Sequence, residues 1–228
     1  DADGTPTPGV GGEGAAPSSS GQGGVGADGS GGQSAGPVSD SMVAADGLSV
    51  DQIVLYQAVE RPLMQGGAPV GGATPVVAER DALLRIFYTS DGTYDGQPVT
   101  ARLSIDDHPP LEQQLTLAGT SNAANLGSTV NFDVAAELLT VGASYRVDLV
   151  RSSAESSGAN AAATFPRTPG TKESFGAQRG GSLIITLVPV AYGADGSGRL
   201  PDTSAAQLAA YAAAFYATYP VSGVALPV

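Results

Sequence analysis

Between Leu48 and Val150 the chain alternates apolar and polar residues with a period of two. Val99, Ala101, Leu103 and Ile105 are interleaved with Thr100, Arg102, Ser104 and Asp106. That spacing places one side-chain set on each face of a strand, so one face is dry and the other wet. The same pattern recurs at Leu111, Leu115 and Leu117, at Val130, Phe132 and Val134, and at Tyr145, Val147 and Leu149. Two further runs, 49–59 and 81–89, are rich in β-formers; Pro62 is expected to break the first, and Val76–Val77 reads as an edge strand. Gly66–Gly67, Gly71–Gly72, Asp91–Gly92, Asp95–Gly96, Pro109–Pro110 and Gly142 mark the turns between runs.

Six or seven short strands without a long helix among them predict a mainly β fold, an antiparallel β-sandwich over 48–166. Phe165 is expected to pair as its last strand. In the run 134–145 (VAAELLTVGASY), Leu138–Leu139, Gly142 and Tyr145 resemble the tyrosine corner of immunoglobulin-like domains. The resemblance implies an immunoglobulin-like sandwich whose Tyr145 hydroxyl bonds backbone across the corner. An ordinary half-buried strand tyrosine is the alternative.

The flanks obey other rules. Residues 1–47 hold 14 glycines, Pro6, Pro8, Pro17 and Pro37, and no aromatic. Such a segment cannot bury enough apolar surface to offset an ordering cost of about 1–2 kcal/mol per residue, and is expected to be a disordered Gly/Ser-rich tether. Its end-to-end distance would be roughly 35–40 Å, suited to a spacer off a surface or to a plain linker. Residues 167–181, with Pro169, Gly170, Gly180 and Gly181, read as a second linker.

Over 182–228 the period changes again. The run 182–192 (SLIITLVPVAY) is almost continuously apolar, which predicts a strand buried on both faces. Ser204 and Gln207 form a capping box for a helix with apolar residues at Leu208, Tyr211, Ala212, Phe215 and Tyr219, ended by Pro220. Tyr211 and Tyr219 are expected in core packing, and Tyr216, off that stripe, in solvent. Residues 221–228 would begin another strand. This β–α–(β) unit is too small for a secure core of its own.

Charge narrows the partners. The net charge is −12, with six acids and no base in residues 1–47. An acidic chain without a basic cluster repels phosphate backbones, which argues against nucleic acid and anionic membrane surfaces. No 18-residue apolar run predicts a transmembrane segment. There is no cysteine, hence no disulfide or thiolate metal site. The chain starts at Asp1 without Met, which fits a processed, exported product or an excised fragment, with a lipid anchor upstream of Asp1 compatible with that start.

Candidate chemistry is sparse. His108, the only histidine, stands beside Asp106 and Asp107, a pair that can ligate metal or act as a general base but that more often sits on a solvated turn. The loops 91–96 (DGTYDG) and 194–199 (ADGSGR), with Asp91, Asp95, Asp195, Ser197 and, further on, Asp202, offer oxygens to Ca²⁺; a plain turn is the simpler reading. No HExxH, CxxC or P-loop pattern occurs. The sequence therefore assigns no catalytic, cofactor-binding or metal-binding residue, no cofactor, and no enzymatic activity to this chain by itself.

The strings LIITLVPVAY (183–192), GRLPDTS (198–204) and QLAAYAAAFYATYPVSGV (207–224) resemble the opening of the catalytic domain in bacterial zincin-type surface metalloproteases. In similar proteins a lipid-anchored Gly/Ser-rich leader and an Ig-like domain come first, and HExxH lies downstream. The resemblance implies an accessory region on an outer cell surface. Three functions fit the chain: a noncatalytic spacer that positions a downstream domain or binds a protein partner; a self-assembling subunit of an extracellular filament or surface layer; and an adhesion or carbohydrate-binding module, which the lack of Trp disfavours.

Overall fold

The structure is a computed structural model that describes residues 41–72 and 74–227. The tether expected over 1–47 lies outside the described residues as far as residue 40. Its last residues do not behave as linker: Met42–Ala44 is a strand, β1. The alternating region supplies β2 (Leu48–Tyr56), β3 (Glu60–Gln65), β4 (Ala68–Pro69), β5 (Val76–Ala78), β6 (Ala82–Ser90), β7 (Val99–Ile105), β8 (Leu111–Leu115), β9 (Val130–Val134) and β10 (Ser144–Ser152). Four short strands come next: β11 (Thr164–Phe165), β12 (Glu173–Ser174), β13 (Ala177–Arg179) and β14 (Ser182–Ile184). The helix α1 (Ala205–Thr218) and β15 (Gly223–Ala225) close the order.

The fold is mainly β, with two antiparallel sheets. One runs β4-β3-β2-β6-β9; the other runs β1-β10-β7-β8. Strand β7 shows why the pattern works: Val99, Ala101, Leu103 and Ile105 are buried, and the residues between them are half-buried. Ile53, Leu55, Leu84 and Ile86 of the first sheet join Ala101, Leu103, Val147 and Leu149 of the second in one hydrophobic cluster, all at 0% exposure. Each large apolar side chain of this kind contributes about 1.5–3 kcal/mol by leaving water.

One edge of β10 pairs with β7 from Tyr145↔Ile105 to Val150↔Thr100. Its other edge is covered in pieces. Strand β12 pairs at Tyr145↔Glu173, β11 at Val147↔Phe165, and β1 at Val150↔Ala44. Residues before Leu48 are thus needed to complete a sheet. The Asp46 carboxylate accepts hydrogen bonds from the Ser157 amide (2.7 Å) and hydroxyl (2.8 Å). Asn160 Nδ2 donates to the carbonyls of Ala45 and Leu48, both at 2.7 Å. These bonds fix residues 45–48 to the loop after β10.

Three sequence expectations change. Pro62 does not break the strand: β3 runs through it, with Val54 opposite Pro62 and a register shift between Ile53 and Val54. The irregularity accommodates a residue that has no N–H to give. The stretch 167–181 is not plain linker, because β12 and β13 lie in it and Phe175 is buried and stacked 4.6 Å from the Tyr145 ring. A single aromatic in a polar stretch has no periodicity to reveal it. Strand β13 pairs parallel to β5, so the buried Val76–Ala78 is one strand of a two-stranded element whose other strand is exposed at Gln178 and Arg179.

The third change concerns the last unit. Strands β14 and β15 pair in parallel with α1 between them, and backbone bonding continues to Leu187 N–H on Pro227 O (2.9 Å). The expected burial on both faces does not occur. Leu183, Ile185 and Leu187 are half-buried, whereas Ile184, Val188 and Val190 are 68%, 76% and 70% exposed. A two-stranded sheet with one helix has no layer for its second face. Ser204 caps α1 as expected, its hydroxyl accepting from Gln207 N–H at 3.3 Å.

Candidate functional site

The His108 turn is built for structure. Asp106 lies at φ +41°, and His108 N–H closes the turn on Ile105 O at 3.0 Å. The Asp106 carboxylate accepts from Ser144 N–H (2.9 Å) and Ser144 Oγ (2.8 Å). Burial pushes this carboxyl up, but the Ser144 bonds, with Lys172 and His108 nearby, outweigh it and hold the group below the usual range. Asp107 and His108 are exposed. Among the described residues no three His, Cys, Asp or Glu side chains gather as metal ligands.

The acidic loops use their carboxylates mostly on their own backbone and side chains. Asp91 accepts from Thr93 Oγ1 (2.6 Å) and N–H (2.7 Å), and Asp195 from Ser197 N–H (3.0 Å) and the Arg199 guanidinium (2.6 Å). Asp202 accepts from Ser204 N–H at 2.8 Å. Asp95 accepts from Gln97 N–H (3.1 Å) and pairs with the buried Arg151 at 3.0 Å. Hydrogen bonding to the ionised form, from Thr93, Gln97, Ser197 and Ser204 respectively, lowers all four carboxyls. These are Asx turns in which Asp replaces a backbone acceptor.

Tyr145 corrects the corner expectation. It is fully buried, packed on Phe175 and Phe165, and its hydroxyl has no hydrogen-bond partner among the described residues. Burial drives its pKa far upward, so it stays neutral.

The most developed polar centre is one the sequence did not announce. Gln57, buried after β2, receives Val77 N–H on Oε1 (2.8 Å) and donates Nε2 to Val77 O and Arg80 O, both at 2.9 Å. Every bond fixes the chain around β5. Two non-glycine residues in the left-handed region flank it, Ala58 (φ +84°) and Glu79 (φ +58°). Such conformations persist where neighbours over-determine them; here Glu79 N–H is held on Leu139 O at 2.9 Å. The chain then presents Arg80, only 4% exposed.

Arg80 meets the end of α1. Its guanidinium donates to Tyr219 O (2.9 Å), Val221 O (2.8 Å) and Tyr216 O, and lies 4.0 Å from the Tyr216 ring centroid. The last carbonyls of a helix have no partner within it and carry its negative end, so a cation with several planar donors satisfies both needs. Beside it, Ser222 Oγ donates to Gly180 O at 2.8 Å. A Cβ on Gly180 would lie 2.6 Å from Val77 Cγ1 and 2.9 Å from Ser222 N, so only glycine allows this approach. A cleft of about 550 Å³ opens here, bordered by Tyr56, Gln57, Arg80, Asp133 and Tyr216.

The tyrosines of α1 exchange their expected places. Tyr211 and Tyr219 are 40% and 47% exposed, whereas Tyr216 is half-buried under Arg80. In sequence, Glu79-Arg80-Asp81 reads as a solvated charge cluster. Arg80, Arg85 and Arg151 are all buried. Arg85 reaches Thr129 Oγ1 at 3.3 Å and lies 5.0 Å from the Phe87 ring centroid. Among the described residues no helix is long and apolar enough to cross a membrane. The chain matches no protein family, no curated protein and no solved structure.

Proposed function

We propose that this chain is a noncatalytic accessory module of an exported, surface-anchored bacterial protein. In this reading the two sheets form an Ig-like β-sandwich on a Gly/Ser-rich tether, and β14–α1–β15 is the start of a larger α/β domain that the module positions. The observation that carries it is the parallel β14–β15 pair with Ile184, Val188 and Val190 in solvent. Parallel sheets are ordinarily covered on both faces, so an uncovered one calls for another layer. The shared hydrophobic cluster of the two sheets supports the sandwich. The resemblance of residues 183–224 to the opening of a zincin catalytic domain gives that layer a candidate identity, with zinc ligands from later residues.

The test is to read the gene past codon 228 and to express the chain together with any downstream coding sequence. An in-frame HExxH, zinc-dependent proteolysis by the long protein alone, and protection of Ile184, Val188 and Val190 from solvent labelling are expected. A stop codon directly after Val228 would overturn the reading. The same exposed strand favours a second function, self-assembly through an unpaired edge into a filament or surface layer. Sedimentation of the chain as a monomer at high concentration would remove it.

A further inference from the structure

We infer that Arg80 is a rigid joint, carrying the orientation of the sheets into the β14–α1–β15 unit so that any chain beyond β15 is held at a fixed angle. This rests on the accessory reading for its purpose, but the joint is a property of the chain itself.

At the C-terminal end of α1 three carbonyls from successive turns of chain, those of Tyr216, Tyr219 and Val221, converge on one buried guanidinium. The residue that carries the guanidinium is itself held by several contacts. The Arg80 carbonyl is held by Gln57, the residue comes directly after the left-handed Glu79, and Tyr216 stacks on its side chain. Ser222 and Gly180 close the same junction from the other side, with Ser222 N–H on Gly181 O at 3.2 Å. Strand β15 begins at Gly223, so the joint ends where the last strand starts.

The N-terminal end of α1 has nothing comparable. Ser204 caps its own helix, and the residues from Val188 to Ala206 are exposed. The helix is therefore fixed at one end, against the sheets, by bonds with directional demands. Lysine at position 80 would keep the charge but offers one nitrogen on a flexible stem and cannot span three carbonyls in a plane.

The chain's lack of cysteine makes the test clean. Spin labels at Gln114→Cys on β8 and Ala213→Cys on α1, both exposed positions, report the angle as a distance distribution. The full chain is expected to give a single narrow distance. Arg80→Lys is expected to broaden it, and to speed amide exchange at 216–222 by about 10- to 100-fold, the loss expected for one or more charge-assisted hydrogen bonds. Exchange in β7 and β10 should stay unchanged, which shows that the sheets remain folded. Arg80→Gln, which keeps a planar donor but fewer of them, should fall between. A broad distribution in the unsubstituted chain, or a narrow one in Arg80→Lys with unchanged exchange at 216–222, would overturn the joint. Neither result depends on a downstream domain, so a stop codon after Val228 would remove the proposed function and leave the joint standing.

Discussion

Leu103 and Ile184 are both apolar residues on β-strands, yet one is at 0% exposure and the other at 68%. The sheets and the β14–α1–β15 unit draw on the same residue types. What separates them is the opposing layer. In the sheets the buried apolar residues share one hydrophobic cluster. In the last unit one face is half-covered and the other meets water. Strand propensity places an apolar side chain on a face; only a second layer turns that face into stability.

Paired substitutions break this comparison most sharply. Leu103→Ala should cost about 2–5 kcal/mol in denaturant unfolding, because it leaves a cavity in a packed core. Ile184→Ala should stay within about 0.5 kcal/mol, since the side chain is already hydrated. Similar losses at both sites would mean that Ile184 is covered in solution. A smaller effect of opposite sign is expected at Tyr145→Phe. The hydroxyl is buried without a partner among the described residues, so its removal should raise stability by about 1 kcal/mol while the stacking on Phe175 remains. A loss of stability there would reveal a bond to Tyr145.

Ser204→Ala should weaken α1 by about 1 kcal/mol through loss of its cap. The change should appear in amide exchange of 205–208 and not in the unfolding of the sheets. The smallest effect is tied to pH. The Asp46 carboxyl lies below its ordinary 3.8, chiefly because the Ser157 N–H binds its ionised form. A lowered carboxyl stabilises the fold above its unfolded pKa and loses that contribution as pH falls through the folded value. The melting-temperature gap between the parent chain and Asp46→Asn should therefore be full at neutral pH and shrink as the pH falls below the ordinary 3.8 and through the lowered folded value. A gap that persists in acid would assign the effect to shape.

The strands of the two sheets were legible because alternation is a local signal that survives burial. Val99 to Ile105 shows it residue by residue. Phe165 was expected to pair and does, in β11 against Val147, but β12 and β13 were hard to read because two or three residues hold no period, and Phe175 owes its burial to partners far away in the chain. The last unit misled for a different reason: a continuous apolar run states what a strand would bury, not whether a cover is present. At the candidate site, the plain turns around His108 and the acidic loops were readable from Asp and Gly chemistry. Gln57 and Arg80 were not, because their partners are backbone groups, which every sequence has and none displays.

The patchwork edge of β10 has a consequence for how the protein is made. Residues 42–44, 164–165 and 173–174 must all arrive before that strand is sealed on both sides. During synthesis β10 emerges with β7 and β1 behind it, and waits for more than twenty further residues before Glu173 can reach Tyr145. Until then part of its hydrogen-bonding edge faces other nascent chains. Such long-range closure slows folding, and aggregation of truncated products ending before Glu173 is the hazard that the arrangement creates.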